Sequence, residues 1–206
     1  QVLNVSHPAQ AKVGATFYNG LVALHYASFG GFTAKWIYFF LGLAGAFLFF
    51  SGNLLWIETR RKRRRFEQPA ATQFLAKLTI GTCIGCMAGV SSSFLASRGF
   101  AEFPDRADWT EIAYYAVFLV SIVWAFSKPV AVGARDLLYT CALFTILIPV
   151  FDFLLVSNLI WNNALTGHWP LLIVDFLALI GALLFFKMSR LVVARANSGE
   201  LNSVWS

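Results

Sequence analysis

Residues 36–57 read WIYFFLGLAGAFLFFSGNLLWI and are followed directly by ETRRKRRR at positions 58–65. A bilayer core about 30 Å thick is crossed by roughly 20 mainly apolar helical residues, and this stretch has that length. Trp36 and Trp56 lie near its two ends, where aromatic side chains typically anchor a helix at the lipid–water interface. The stretch therefore predicts a transmembrane helix that stops at a basic run.

The composition of the whole chain also indicates a membrane protein. Of its 206 residues, 58% are hydrophobic and 13% are charged, whereas ordinary globular chains have roughly 45–50% apolar and about 25% charged residues. A water-soluble core of this length cannot bury so much apolar surface, so we expect lipid to solvate part of it. The composition excludes a disordered chain, a collagen-like chain and a disulfide-stapled secreted domain.

Four further stretches predict membrane spans, at about 74–95, 111–126, 137–160 and 170–193. The third of these four is interrupted by Pro149. A weaker apolar segment, 13–27, contains Asn19, Gly20 and His25, and its length favours an interfacial or re-entrant helix. The predicted fold class is therefore all-α, a polytopic membrane bundle of about five transmembrane helices preceded by an interfacial helix. The predicted domains are a periplasmic leader with the interfacial helix at 1–32, the bundle at 33–195 and a cytoplasmic tail at 196–206.

The distribution of Lys and Arg predicts the orientation of these spans. With Arg60–Arg65 in the cytoplasm, twelve of the 16 basic residues fall inside and four fall outside. The four outside are Lys12, Lys35, Arg98 and Arg106. We therefore expect a membrane protein whose N-terminus lies outside and whose C-terminus lies in the cytoplasm. A basic run beside a span typically sets topology and contacts anionic lipid, so we expect no nucleic-acid partner despite the net charge of +6.

Two carboxylates lie within the predicted spans. Asp152 is in IPVFDFLL and Asp175 is in LLIVDFLAL, and the topology puts both at a similar depth in the outer half of the membrane. Ionisable residues within spans cost about 2.5–3.5 kcal/mol on insertion scales and often mark function. Each is either a structural residue, paired or protonated at a kink or an interhelical hydrogen bond, or a residue that moves protons or tunes the charge around a cofactor. Pro149, three residues before Asp152, could open space for either role.

The three histidines, His7, His25 and His168, all fall at the outer side of the predicted topology. Neutral imidazole is a common ligand of haem iron, so axial ligation is the chemistry that these residues could support. No HExxH or HxxxH spacing is present, and we expect no metal beyond haem iron. No P-loop, GxGxxG or GxSxG motif is present, so no catalytic residue is assigned.

Cys83 and Cys86 form a CxxC within GTCIGCMAG. In a soluble protein this spacing could indicate redox or zinc chemistry. Here Gly81 and Gly85 also form a GxxxG, a spacing that lets membrane helices approach closely. No second CxxC completes a four-thiolate site. We therefore interpret the segment as a helix-packing surface.

Leu21–Arg65 carries a pattern that extends beyond hydropathy. It combines an LH…FGG turn with a span containing SG and LLW and a basic stop; the matching residues are Leu24, His25, Phe29, Gly30, Gly31, Ser51, Gly52 and Leu54–Trp56. This pattern resembles the PepSY-associated transmembrane family, which includes iron-regulated membrane proteins and bacterial ferric-siderophore reductases. The resemblance is specific over about a fifth of the chain and is looser over the later spans.

The resemblance implies a haem b cofactor and electron transfer across the inner membrane to ferric iron in siderophores. His25 is the match to the family's LH histidine, and His168 and His7 are further candidate ligands. Members usually carry an upstream helix and a periplasmic PepSY domain. Because the first residue here is Gln, we expect an upstream segment to have exported the N-terminus.

Three hypotheses follow. The first is an oxidoreductase that takes electrons from a quinol or a cytoplasmic reductase and passes them to periplasmic ferric chelates. Outer-leaflet aromatic residues would pack against the porphyrin or serve as interface anchors; they are Tyr26, Trp36, Tyr38, Trp109, Tyr114 and Tyr115. The second is a non-catalytic accessory subunit that packs against a larger membrane complex. The third and least favoured is a transporter with its substrate near Pro149 and Asp152.

Overall fold

The structure is a computed structural model that describes residues 13–63, 69–156 and 169–197. Within these ranges the chain forms six helices and no strands, which confirms the predicted all-α class. In chain order the helices are α1 Val13–His25, α2 Gly31–Arg63, α3 Ala70–Gly99, α4 Arg106–Ser127, α5 Val130–Val156 and α6 Trp169–Asn197.

Five of these helices are long and apolar enough to cross a membrane, which confirms the predicted number of spans. Their candidate spans are Gly31–Arg60, Ala70–Gly99, Arg106–Ser127, Val130–Leu154 and Leu171–Asn197. The protein is therefore an integral membrane protein whose helices contact the lipid bilayer. Most helices begin earlier or end later than predicted, because apolar residues mark only the hydrocarbon-spanning part of a helix that continues beyond it.

The prediction that Pro149 interrupts its span is wrong. Pro149 is buried within α5, which is helical on both sides of it. Proline lacks the N–H that would bond the carbonyl four residues earlier. Membrane helices tolerate this loss because neighbouring helices and local backbone adjustments can satisfy the freed group.

The chain divides into two compact units, Gln1–Ser51 and Gly52–Ser206. In the first unit, α1 ends in a turn in which Ala27 N–H bonds Leu24 O and Ser28 N–H bonds Ala23 O, at 3.3 and 3.0 Å. Ala27 has a φ of 50°. These two bonds around a left-handed residue are the Schellman pattern that terminates helices.

The two glycines after this turn have different physical roles. Gly31 has a φ of +61°, a conformation that glycine adopts without steric cost. A Cβ at Gly30 would lie 2.4 Å from the Cβ of Ala34. The FGG sequence therefore allows both the left-handed backbone and the close approach with which α2 begins.

In the second unit, α3 packs against α4 and α5, and α5 packs against α6. The buried core includes Ile80, Ile84, Leu138 and Cys141. The C-terminal part of α2 joins this unit through the buried Ile57. Its Asn53 Nδ2 also donates a hydrogen bond to Thr79 Oγ1, at 3.4 Å.

Small residues on α3 bring α4 very close. A Cβ at Gly81 would lie 3.1 Å from Ala125 Cβ, and one at Gly85 would lie 2.7 Å from Ser121 Cβ. A Cβ at Gly89 would lie 2.9 Å from the Tyr114 ring. The GxxxG interpretation therefore agrees with the structure, and the surface extends one further step, to Gly89.

Candidate functional site

Three charged side chains meet where the end of α3, the end of α5 and the start of α6 come together. Arg98 lies in the last turn of α3, Asp152 lies near the end of α5, and Asp175 lies in the second turn of α6. We call these three residues the charged cluster. The two carboxylates were expected at a similar depth, and the structure brings them together.

Arg98 and Asp152 form a two-point ion pair. Arg98 Nε donates to Asp152 Oδ1, and Arg98 Nη2 donates to Asp152 Oδ2 at 2.7 Å. The side chains are only 15% and 10% exposed. This fork-to-carboxylate arrangement fixes the orientation of both groups and is stronger than a single neutral hydrogen bond.

Asp175 is the most deeply buried member of the charged cluster, with 1% of its surface exposed. Its carboxyl lies within electrostatic range of both Asp152 and Arg98. Its Oδ1 atom is buried and has no hydrogen-bond partner among the described residues. An unpaired buried carboxyl oxygen is costly, and it costs most when the group is ionised.

A second polar contact lies two helical turns from the ion pair. Ser91 Oγ and Thr145 Oγ1 are buried and 2.9 Å apart. Ser91 precedes Arg98 by seven residues on α3, and Thr145 precedes Asp152 by seven residues on α5. A seven-residue repeat is typical of helices that stay in contact along their length.

Sequence reasoning missed Arg98 because it was assigned to the outer loop on the strength of the predicted end of its span. The matching seven-residue spacings on α3 and α5 are the signal that could have paired it with Asp152. If Ser91 and Thr145 face each other, then Arg98 and Asp152, each seven residues further along, also face each other and can form an ion pair.

His25 is the last residue of α1, and its side chain is exposed. Its ring meets the ring of Tyr26 edge-on, with centroids 5.0 Å apart. Within residues 13–63, 69–156 and 169–197, the imidazole makes no hydrogen bond. The imidazole therefore lies exposed at the end of α1. His7 and His168 lie outside the described residues.

The aromatic residues proposed as porphyrin contacts have varied surroundings. In the first unit, Tyr26 and Tyr38 are exposed, and Trp36 stacks on Phe40 with centroids 5.7 Å apart. In the second unit, Tyr114 stacks on Phe118 and packs against Gly89, so it contributes to helix packing. Tyr115 is exposed, and Trp109 stacks on Phe100.

The cysteines contribute to contacts between helices. Cys86 Sγ and Tyr114 Oη are 3.4 Å apart, and Cys141 Sγ donates to Ile84 O at 3.4 Å. All three cysteines are free thiols. In the part of the chain that the structure describes, no group of three or more His, Cys, Asp or Glu side chains could hold a metal ion.

Polar side chains also join α3, α4 and α5 at the end of the second unit opposite the charged cluster. Lys77 Nζ donates to Phe126 O at 3.1 Å, where a cation stabilises the C-terminal end of α4. Trp124 Nε1 donates to Asp136 Oδ2 at 3.2 Å, and Asp136 pairs with Arg135 at 2.6 Å. Trp124 and Asp136 also line a mostly apolar cavity of about 390 Å³ between α4 and α5.

Residues 2–59 match the family model described as the PepSY-associated TM region. This match includes His25, the FGG turn and most of α2, and it confirms the resemblance found in the sequence for this part of the chain. No curated protein and no solved structure gives a significant match.

Proposed function

We propose that this multi-span membrane protein binds haem and passes electrons across the bacterial inner membrane towards periplasmic ferric chelates. The proposal starts from the match of residues 2–59 to the PepSY-associated TM region. The matching region contains His25, and its accessible imidazole is the single observation that carries the proposal. We propose that the N-terminus is periplasmic and the C-terminus cytoplasmic, as the distribution of basic residues favours.

His25 would hold haem iron through its imidazole, which is a common iron ligand. The His25 imidazole is exposed at the end of α1, and the turn that follows is held by backbone bonds from Ala27 and Ser28. These bonds fix the backbone next to the imidazole. Haem bound here would supply one-electron redox chemistry. We propose His168 or His7 as a second ligand.

The charged cluster has a separate role in this proposal. Arg98 and Asp152 hold each other in place, while Asp175 sits beside them with one unpaired oxygen. Electron movement across a low-dielectric membrane changes the local charge, and nearby ionisable groups can balance that change. We propose that Asp152 and Asp175 balance charge or relay protons during electron transfer.

The proposal is tested by a reduced-minus-oxidised visible spectrum of the purified protein, with a pyridine haemochrome assay for stoichiometry. We expect a b-type α band and about one or two haems per chain. His25→Ala should lose haem or shift the spectrum. His7→Ala and His168→Ala are matched variants. Only the variant that removes a second haem ligand should lose haem or shift the spectrum. Full haem with an unchanged spectrum in His25→Ala would show that the ligand assignment is wrong.

One observation favours the alternative of a non-catalytic accessory subunit. The apolar part of α2 contains the small residues Gly42 and Gly45. Small residues often mark helix–helix interfaces in membranes. Folded protein without haem, in a stable stoichiometric assembly with other membrane chains, would favour this alternative over electron transfer.

A further inference from the structure

The charged cluster contains more acidic than basic side chains. Arg98 contributes one positive charge, and Asp152 and Asp175 contribute two negative charges when both are ionised. Each of the three packed helices supplies one of these groups, and no other charged side chain in the described ranges contacts them. One unbalanced negative charge would therefore remain in a site whose innermost residue is 1% exposed.

The placement of the three side chains shows how this charge can be balanced. Two neighbouring ionised carboxylates repel each other, and an ionised carboxylate without a partner is costly to bury. One proton on the two carboxyl groups removes the unbalanced charge. Both Asp152 oxygens already accept from Arg98, so Asp152 has its cation and its donors. The proton then belongs on Asp175.

The unpartnered Oδ1 atom of Asp175 supports the same assignment independently. In the ionised form this oxygen would carry about half of a negative charge with no donor to stabilise it. In the protonated form it is a carbonyl-type oxygen, whose burial without a hydrogen bond costs much less.

We propose that Arg98, Asp152 and Asp175 form a proton-binding site that holds one proton on Asp175, beside the carboxylate of Asp152. With this proton the cluster is electrically neutral. Arg98 and Asp152 are slightly more exposed than Asp175, with 15% and 10% of their side-chain surface accessible. The site is made only of this chain's own side chains, so it does not rest on the proposed haem or on electron transfer.

The site is tested by infrared spectroscopy of the full chain in lipid nanodiscs at neutral pH. A protonated carboxyl has a C=O stretch that an ionised carboxylate lacks, and it shifts in D₂O. Labelling aspartate with ¹³C at the side-chain carboxyl identifies the band as Asp rather than Glu. We expect one such Asp band in the wild-type protein. Its absence in the wild-type protein would overturn the proposal without any variant.

Substitutions then assign the band to a residue. Asp175→Asn should abolish it, and Asp152→Asn should shift or remove it because the neighbouring negative charge is removed. Asp136→Asn is the matched control, since Asp136 also pairs with an arginine but is more exposed, and its loss should leave the band unchanged. A band that survives in Asp175→Asn would overturn the assignment. Loss of the wild-type band on adding NaCl, but not choline chloride, would also overturn it by identifying a sodium site.

Discussion

The contact between α3 and α4 at Gly85 provides the sharpest test of the packing. A Cβ added there would lie 2.7 Å from Ser121 Cβ. Both atoms are attached directly to helix backbones, so neither can rotate away. Ordinary carbon–carbon contacts are about 3.5–4.0 Å, so Gly85→Ala should push the two helices apart by about 1 Å.

The matched control is Gly133→Ala, on α5. The same methyl group would there lie 3.5 Å from its nearest neighbours, Ala125 Cα and Ile80 Cδ1, which is ordinary contact. Both substitutions gain the same helix propensity, up to about 1 kcal/mol, so this gain cancels in the comparison. Overpacking typically costs about 1–3 kcal/mol. We therefore expect Gly85→Ala to be less stable than Gly133→Ala by about 1–3 kcal/mol.

The free energy of unfolding can be measured by titrating SDS into mixed micelles and following tryptophan fluorescence and helical circular dichroism. The double variant Gly85→Ala/Ser121→Gly removes the opposing Cβ and should recover most of the loss. The Ser121 hydroxyl bonds Val117 O within its own helix, so its removal does not break a bond to α3. Equal stability of the two alanine variants, or no recovery in the double variant, would refute the packing described for α3 and α4.

Three further predictions concern other contacts. Arg98→Gln should cost about 3–5 kcal/mol because it leaves the buried Asp152 carboxylate without its cation. Asp152→Asn should cost less than half of that, because Asp175 can then pair with the arginine; SDS titration of both variants measures the difference. Gly31→Ala should cost about 1–2 kcal/mol because its φ of +61° is left-handed, and amide exchange in the turn before α2 should increase. Lys77→Met should cost about 1.5 kcal/mol by removing a charged donor from the end of α4, measured by the same titration.

Each of these predictions has a control and a contrary result. Arg135→Gln removes a more exposed ion pair and should cost less than about 1 kcal/mol; a similar loss in Arg98→Gln would show that the charged cluster contributes little. Gly42→Ala adds a methyl group within α2, where no described residue of the first unit lies within 4 Å, and equal amide exchange in both glycine variants would argue against strain at Gly31. Lys77→Arg keeps a donor, and it should retain most of the stability that Lys77→Met loses.

The sequence by itself determined the class of the protein, the number of its spans and the family to which its first quarter is similar. These properties depend on local patterns. An apolar run long enough to cross a bilayer is a span whatever it packs against, because its backbone must bond internally in lipid. The LH…FGG turn could be recognised for a related reason, since the left-handed φ of Gly31 and the crowding at Gly30 are properties of adjacent residues.

The tertiary structure alone decided how the polar residues are paired. Arg98 and Asp152 are 54 residues apart, and hydropathy cannot show which faces of two apolar helices meet. Pro149 was expected to interrupt its span because proline removes a backbone hydrogen bond. Only the structure shows that α5 continues through it. The seven-residue spacings on α3 and α5 are consistent with the pairing of Arg98 with Asp152, but they do not by themselves predict it. Only the contact between these helices, together with α6, gave Arg98, Asp152 and Asp175 one shared environment, because long-range packing sets which side chains leave water together.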